Sequence, residues 1–157
     1  VEIFEKIKNL KQPFPITDKN MTRFIISLEQ GVSFVLKSLN MMKGGEIFIP
    51  KIPSIRIVDL AKAMNKKKKI HFIGIRPGEK LHEAMTTQDE NNQLIEFKNY
   101  FLHLPPYLNN DKEISKYKIG ASKEKGKIVD PKFSYTSDRN KFLSIEEIKN
   151  FIQNQKT

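Results

Sequence analysis

Four consecutive residues, Arg76-Pro77-Gly78-Glu79, carry the chemistry most readily seen in this chain, which is the grip of an anion. A guanidinium offers a planar fork of donors that matches two oxygens of a diphosphate, as an ammonium cannot. Pro77 pre-sets a turn, Gly78 permits a close backbone approach, and Glu79 accepts hydrogen bonds, including those of ribose hydroxyls. A second set, Thr17-Asp18 followed by Met21-Thr22-Arg23-Phe24, adds polar groups and another permanent positive charge. Both sets also fit plainer roles: a surface Arg76 paired with Glu79 or Glu83, and a turn at 15–18 leading into a strand.

Other chemistries lack their residues. A dinucleotide-binding unit needs close-set glycines between a strand and a helix, and the seven glycines here are scattered. No Tyr stands four residues before a Lys, and there is no G-x-S-x-G elbow. His71, His82 and His103 are isolated and make no metal-ligand spacing; with no Cys, neither a disulfide framework nor a thiolate metal site can form. The reading is that no catalytic, cofactor or metal residues lie in this chain.

The elements that must position the anion-binding residues follow from periodicity. Val1, Phe4, Ile7 and Leu10 trace a helical stripe. A helix that begins without a cap or a Met is expected to follow something cut away. Met21–Ser27 reads as a strand, and Leu28–Leu39 as a helix with Leu28, Val32, Val35, Leu36 and Leu39 on one face. Glu46–Pro50 is an expected strand. Ser54 is the expected N-cap of a helix carrying Ile55, Val58, Leu60, Ala61 and Met64. Ile70–Ile75 has the continuous apolar character of a buried parallel strand, which would put Arg76 at its carboxyl end, and Glu79–Met85 is expected to begin a helix. This alternation predicts an α/β layer arrangement. Beyond it, Leu94–Phe97 and Tyr100–Leu104 are expected short strands, and Asn109–Lys132 a Lys-rich loop. Ser144 and Glu147 form a capping box that opens a terminal helix.

Composition bounds the rest. With 28 Lys and Arg against 18 Asp and Glu, the formal charge is +10, which suits phosphate ligands or nucleic acid. The Lys are mostly scattered, however, and no basic segment interleaves with aromatics as in an RNA-reading sheet. No run approaches the roughly 20 apolar residues that span a bilayer, and residues 1–20 hold no signal-peptide core. A soluble, cytoplasmic protein without a membrane span is the expectation.

Taken together, four stretches closely resemble the inverting UDP-N-acetylglucosamine 4,6-dehydratases of the extended short-chain dehydrogenase/reductase group. They are PITDKNMTRFIISLEQGVSFVLKSL at 15–39, GGEIFIPKIPSIRIVDLAKAM at 44–64, IGIRPGEKLHEAM at 73–85 and FSYTSDRNKFLSIEEI at 133–148. The stretch 106–130 matches poorly, and Phe142 stands where relatives usually carry Trp. The resemblance implies an α/β fold: the C-terminal, substrate-binding part of such an enzyme, with the N-terminal Rossmann half missing. It implies one region over 1–157, with an α/β core at 1–87, short strands and a polar loop at 88–132, and a tail with the terminal helix at 133–157.

In that family the Rossmann half binds NADP and carries the catalytic Tyr, Lys and Asp. The sugar is oxidised at C4, loses water across C5 and C6, and is reduced at C6 with inversion at C5. The product is a 4-keto-6-deoxy sugar nucleotide for surface polysaccharide or flagellin glycans. By resemblance, Arg23, Arg76 and Glu79 would hold the UDP portion, with Thr17 and Met21 lining its path. The implied partners are a UDP-sugar and either the missing half or further copies of the chain. Such a part, lacking its cofactor site, is expected to be inactive alone and prone to self-association. Two other readings stay open: a non-catalytic nucleotide-sugar-binding module and a basic nucleic-acid-binding protein.

Overall fold

The computed structural model describes residues 2–7, 9–108, 110–120 and 124–155. The expected helix start at Val1 lies outside them, as do Asn109 and residues 121–123 of the expected polar loop. In chain order the elements are α1 (Glu2–Ile7), β1 (Phe14–Ile16), β2 (Thr22–Phe24), α2 (Leu28–Met41), β3 (Ile47–Pro50), β4 (Ser54–Arg56), α3 (Ile57–Met64) and β5 (Ile70–Phe72). Then follow β6 (Ala84–Thr86), a 3-10 turn (Gln88–Gln93), β7 (Leu94–Glu96), β8 (Tyr100–His103), α4 (Asp111–Tyr117), β9 (Lys127–Ile128), β10 (Tyr135–Thr136) and α5 (Ile145–Asn154). The fold is mixed α/β, and the chain divides into two compact units.

The first unit comprises Val1–Ile25, Pro53–Glu83 and Thr136–Thr157. Its core joins Phe4, Phe14, Ile16, Ile25, Ile55, Leu60, Ala61 and Ile148, onto which Leu143, Phe151 and Ile152 pack. Alternation along β1 buries Phe14 and Ile16 and leaves Pro15 between them half-buried. β1 pairs with β5 in parallel, Phe14 opposite Ile70 and Ile16 opposite Phe72. β2 pairs antiparallel with β4, Arg23 opposite Ile55. The terminal helix α5 forms as expected: the Ser144 hydroxyl accepts from the Glu147 N–H at 3.2 Å, and the Glu147 carboxylate accepts from the Ser144 N–H at 2.7 Å.

Three expectations for this unit need correction. Ser54 does not cap a helix. It is fully buried in β4, where its hydroxyl accepts from Asn140 Nδ2 at 3.0 Å and its backbone bonds Lys141 and Leu143. With that hydroxyl taken, α3 starts at Ile57 behind Arg56, which supplies no side-chain cap. Residues 70–75 are not a buried strand: β5 ends at Phe72, and Phe72, Ile73 and Ile75 are exposed, because among the described residues β5 has β1 as its only neighbour. Residues 79–83 form no helix, since their backbone groups are bound sideways by other segments, as described below. Phe142, in the place usual for Trp, lays its ring against the Arg56 guanidinium at 4.1 Å.

The second unit comprises Ile26–Ile52 and Ala84–Tyr135. Its sheet runs β3-β8-β7-β9, antiparallel throughout. Ile95, Phe97, Tyr100, Leu102, Leu104 and Leu108 form its core, with Phe34, Met41, Phe48, Ile114 and Tyr117 packed on it. The expected loop at 109–132 instead contains α4, capped by the Asn110 side chain, and β9 paired with β7. Ile114 and Tyr117 account for the helix, since packing both on the core stabilises a segment whose composition alone reads as loop.

The helix α2 forms where periodicity placed it, with a Ser27–Gln30 capping box. Its inward face is not the predicted stripe. Phe34 and Met41 meet the core of the unit, while Leu28, Val32, Val35, Leu36 and Leu39 stand 50–82% exposed. Among the described residues no helix is long and apolar enough to cross a membrane.

Candidate functional site

The loop at 73–83, in the first unit, collects the residues singled out by the sequence. It begins as an extension of the β1–β5 pairing: the Ile73 N–H donates to Ile16 O at 2.9 Å and the Gly74 N–H to Thr17 O at 3.1 Å. That register lays Thr17 beside the loop. The chain then reverses at Arg76–Glu79, where the Glu79 N–H donates to Arg76 O at 3.0 Å. Pro77 occupies the second position of this turn and Gly78, with φ of 79°, the third, which is the residue pattern of a type II turn.

Within the turn, Glu79 is oriented from two sides. The Thr17 hydroxyl donates to Glu79 Oε1 at 3.0 Å, and the Arg76 backbone N–H approaches Oε2 at 3.4 Å. The Arg76 side chain is exposed, and its guanidinium makes no hydrogen bond or ion pair among the described residues. The plainer role for Arg76, pairing with Glu79 or Glu83, is therefore absent from the structure. Thr17, Arg76 and Glu79 are brought together at one turn.

Arg23 is placed differently. Its guanidinium donates to the carbonyls of Thr22 at 2.7 Å, Leu81 at 3.1 Å and Lys80 at 2.8 Å, and its Nε lies 3.4 Å from the Glu83 carboxylate. Bonds from a cationic donor are stronger than neutral ones, so this residue ties the second half of the loop to β2. The Thr22 N–H reinforces the tie by donating to Leu81 O at 3.1 Å. Met21 is 4% exposed and contributes its backbone carbonyl to the Ile57 N–H.

Sequence reasoning missed a group beneath the loop. The Thr22 hydroxyl lies 2.8 Å from His82 Nδ1 and 2.7 Å from the Ser137 hydroxyl. Ser137 Oγ accepts from the Glu83 N–H at 2.9 Å, and the Ser137 N–H donates to Glu83 O at 2.8 Å. Ser137 is fully buried and Thr22 nearly so. Counting donors gives one arrangement in which every hydroxyl hydrogen has an acceptor. Ser137 donates to Thr22, Thr22 donates to His82 Nδ1, and the imidazole proton sits on Nε2. A proton on Nδ1 would turn the Thr22 hydrogen toward Ser137 and leave the Ser137 hydrogen buried without a partner. No local signal could have revealed this group, since Thr22 and Ser137 are 115 positions apart.

The residues present do not fit a dinucleotide cofactor. The glycines with positive φ are Gly44, Gly45, Gly74 and Gly78, and none joins a strand to the start of a helix. The β2–α2 connection is Ile25-Ile26-Ser27 and β4 runs directly into α3, so neither helix opens on a glycine cradle. No group of three or more His, Asp or Glu suited to a metal occurs among the described residues. A cleft of about 470 Å³ in the second unit, lined by residues including Ile47, Ile49, Met85, Asp89, Gln93 and His103, has no Lys or Arg to meet a phosphate.

The sequence profile of a family described as "Polysaccharide biosynthesis protein" matches residues 1–105. A Campylobacter jejuni protein named UDP-N-acetylglucosamine 4,6-dehydratase (inverting) is 47% identical over 148 residues, 94% of this chain and 44% of that protein. A Rickettsia bellii UDP-glucose 4-epimerase is 35% identical over 154 residues, again 94% of this chain and 43% of the relative. The X-ray structure of Pen from Bacillus thuringiensis superposes with a TM-score of 0.76 at 32% identity, covering 99% of this chain and 45% of that one. The chain thus spans less than half the length of these relatives.

Proposed function

This chain belongs to the polysaccharide biosynthesis protein family, and from that premise we propose that it holds the UDP portion of a sugar nucleotide for 4,6-dehydration. The observation that carries the reading is the unpaired Arg76 guanidinium on a glycine-permitted turn, beside the Thr17–Glu79 pair. In this reading Arg76 takes the diphosphate in its fork, while the Glu79 carboxylate accepts from ribose hydroxyls and is held in place by Thr17. Arg23 acts through the loop, and Met21 supports the turn into β2. The chain's contribution to rate is orientation, because a sugar fixed at its reaction partner no longer has to lose that freedom in the transition state.

The dinucleotide that supplies the redox chemistry, NADP in the proposed reaction, is not assigned to the described residues. The proposed product is a 4-keto-6-deoxy UDP-sugar destined for surface glycans. The match to the Rickettsia bellii protein favours a second reading, epimerisation at C4 of a UDP-hexose, which would use the same grip on UDP. Mass spectrometry of the product separates the two: dehydration removes one water, and epimerisation leaves the mass unchanged.

Calorimetry with UDP tests the grip itself. Arg76→Ala is expected to weaken binding by roughly 1.5–3 kcal/mol, the scale of a hydrogen bond to a charged group. Unchanged affinity in a folded Arg76→Ala protein would remove this residue, and the reading with it.

A further inference from the structure

We infer that Thr22, Ser137 and His82 are positioning residues, a buried hydroxyl relay that sets the anion-gripping loop in its working conformation. The inference rests on the reading that Arg76 meets the diphosphate, and it concerns what holds Arg76 where it can do so. Three segments distant in sequence converge here: β2 through Thr22, the loop through His82 and Glu83, and the tail through Ser137. The loop has little else of its own to keep its shape. Residues 71–78 are all exposed, and no helix or long strand contains them. Its start is hung from β1 by two backbone bonds, and its end is held by Arg23, the Thr22 N–H and the relay.

The relay differs from Arg23 in what it fixes. Arg23 and the Thr22 N–H grip the carbonyls of Lys80 and Leu81. Among the described residues, the Thr22 hydroxyl meets the His82 ring, Ser137 Oγ accepts from the Glu83 N–H, and the Ser137 backbone N–H donates to Glu83 O. Ser137 has no exposed surface, so water cannot replace the lost bond without entering the packing. Removing one hydroxyl therefore strands a partner and loosens the loop end, which stays joined to the tail by the Ser137 N–H bond to Glu83 O, with no ligand contact touched.

The test compares UDP with uridine, which shares the nucleoside and lacks the phosphates. The ratio of the two affinities isolates the diphosphate grip. Thr22→Val keeps the side-chain shape and removes the hydroxyl, and Ser137→Ala removes the other; each is expected to lower the ratio about tenfold. Thr22→Ser, which restores a hydroxyl, should return it to the wild-type value. His82→Phe changes a partly exposed loop residue and so keeps the test alive should the buried variants unfold; it should lower the ratio several-fold. A general loss of structure would weaken uridine and UDP alike. If the relay variants keep the wild-type ratio while Arg76→Ala loses it, the relay inference falls and the proposed grip stands. If wild type itself shows no preference for UDP over uridine, both fall together.

Discussion

At the residue scale, the two arginines singled out by sequence have unequal work. Arg23 spends its donors on three carbonyls and a carboxylate, whereas Arg76 keeps its fork free. That difference arises from what each guanidinium finds nearby, since the two side chains are chemically identical. Gly78 belongs to the same scale. Its φ of 79° is strained for any residue with a Cβ, yet a methyl placed there would meet nothing within 4 Å. Gly78→Ala should therefore cost about 1–2 kcal/mol through backbone strain alone, measured as a lower midpoint in chemical denaturation. UDP affinity should fall in the same variant, because the turn that aims Arg76 would relax. Wild-type stability with wild-type affinity would show that the turn tolerates a side chain and has no part in aiming.

At the element scale, the elements with strong local signals formed where the sequence placed them. The capping box at Ser144 and Glu147 is the clearest case, and Ser144→Ala is expected to destabilise α5 by about 1 kcal/mol. The Ser144 backbone N–H, followed by its hydroxyl, holds the Glu147 carboxyl below the usual carboxylate range. A depressed acid pKa contributes stability above the unfolded value, and that contribution is lost as pH falls through the folded value. The first turn of α5 should therefore fray as pH drops below the ordinary carboxylate range, seen as faster amide exchange at Glu147 and Ile148. Equal protection at neutral and acid pH would contradict it. Elements resting on tertiary contacts were read less well. Periodicity in α2 identified the apolar stripe correctly but not its surroundings: Phe34 and Met41 face the core, and the stripe itself stands in solvent. In 109–132, polar composition concealed a helix that Ile114 and Tyr117 anchor.

At the scale of the whole molecule, a formal charge of +10 acts on any anionic ligand. Screening shortens its reach from about 10 Å at 0.1 M salt to about 3 Å at 1 M. UDP affinity should therefore fall as salt is raised across that range, while uridine affinity stays nearly constant, a difference that calorimetry at several salt concentrations would read. Parallel salt curves for the two ligands would mean that phosphate contributes no charge recognition. The chain covers 44% of the Campylobacter jejuni dehydratase that it matches at 47% identity.

The sequence by itself determined whatever depends on neighbours a few residues away. The Pro77-Gly78 turn, the capping box of α5 and the strands β7 and β8 all belong to that class. Tertiary structure alone decided which polar groups are already satisfied. Arg23 meets carbonyls 57 and 58 positions away, and Thr22 meets Ser137 across 115. Once a donor or acceptor is buried it must find a partner wherever the fold supplies one, and that requirement has no period or spacing along the chain.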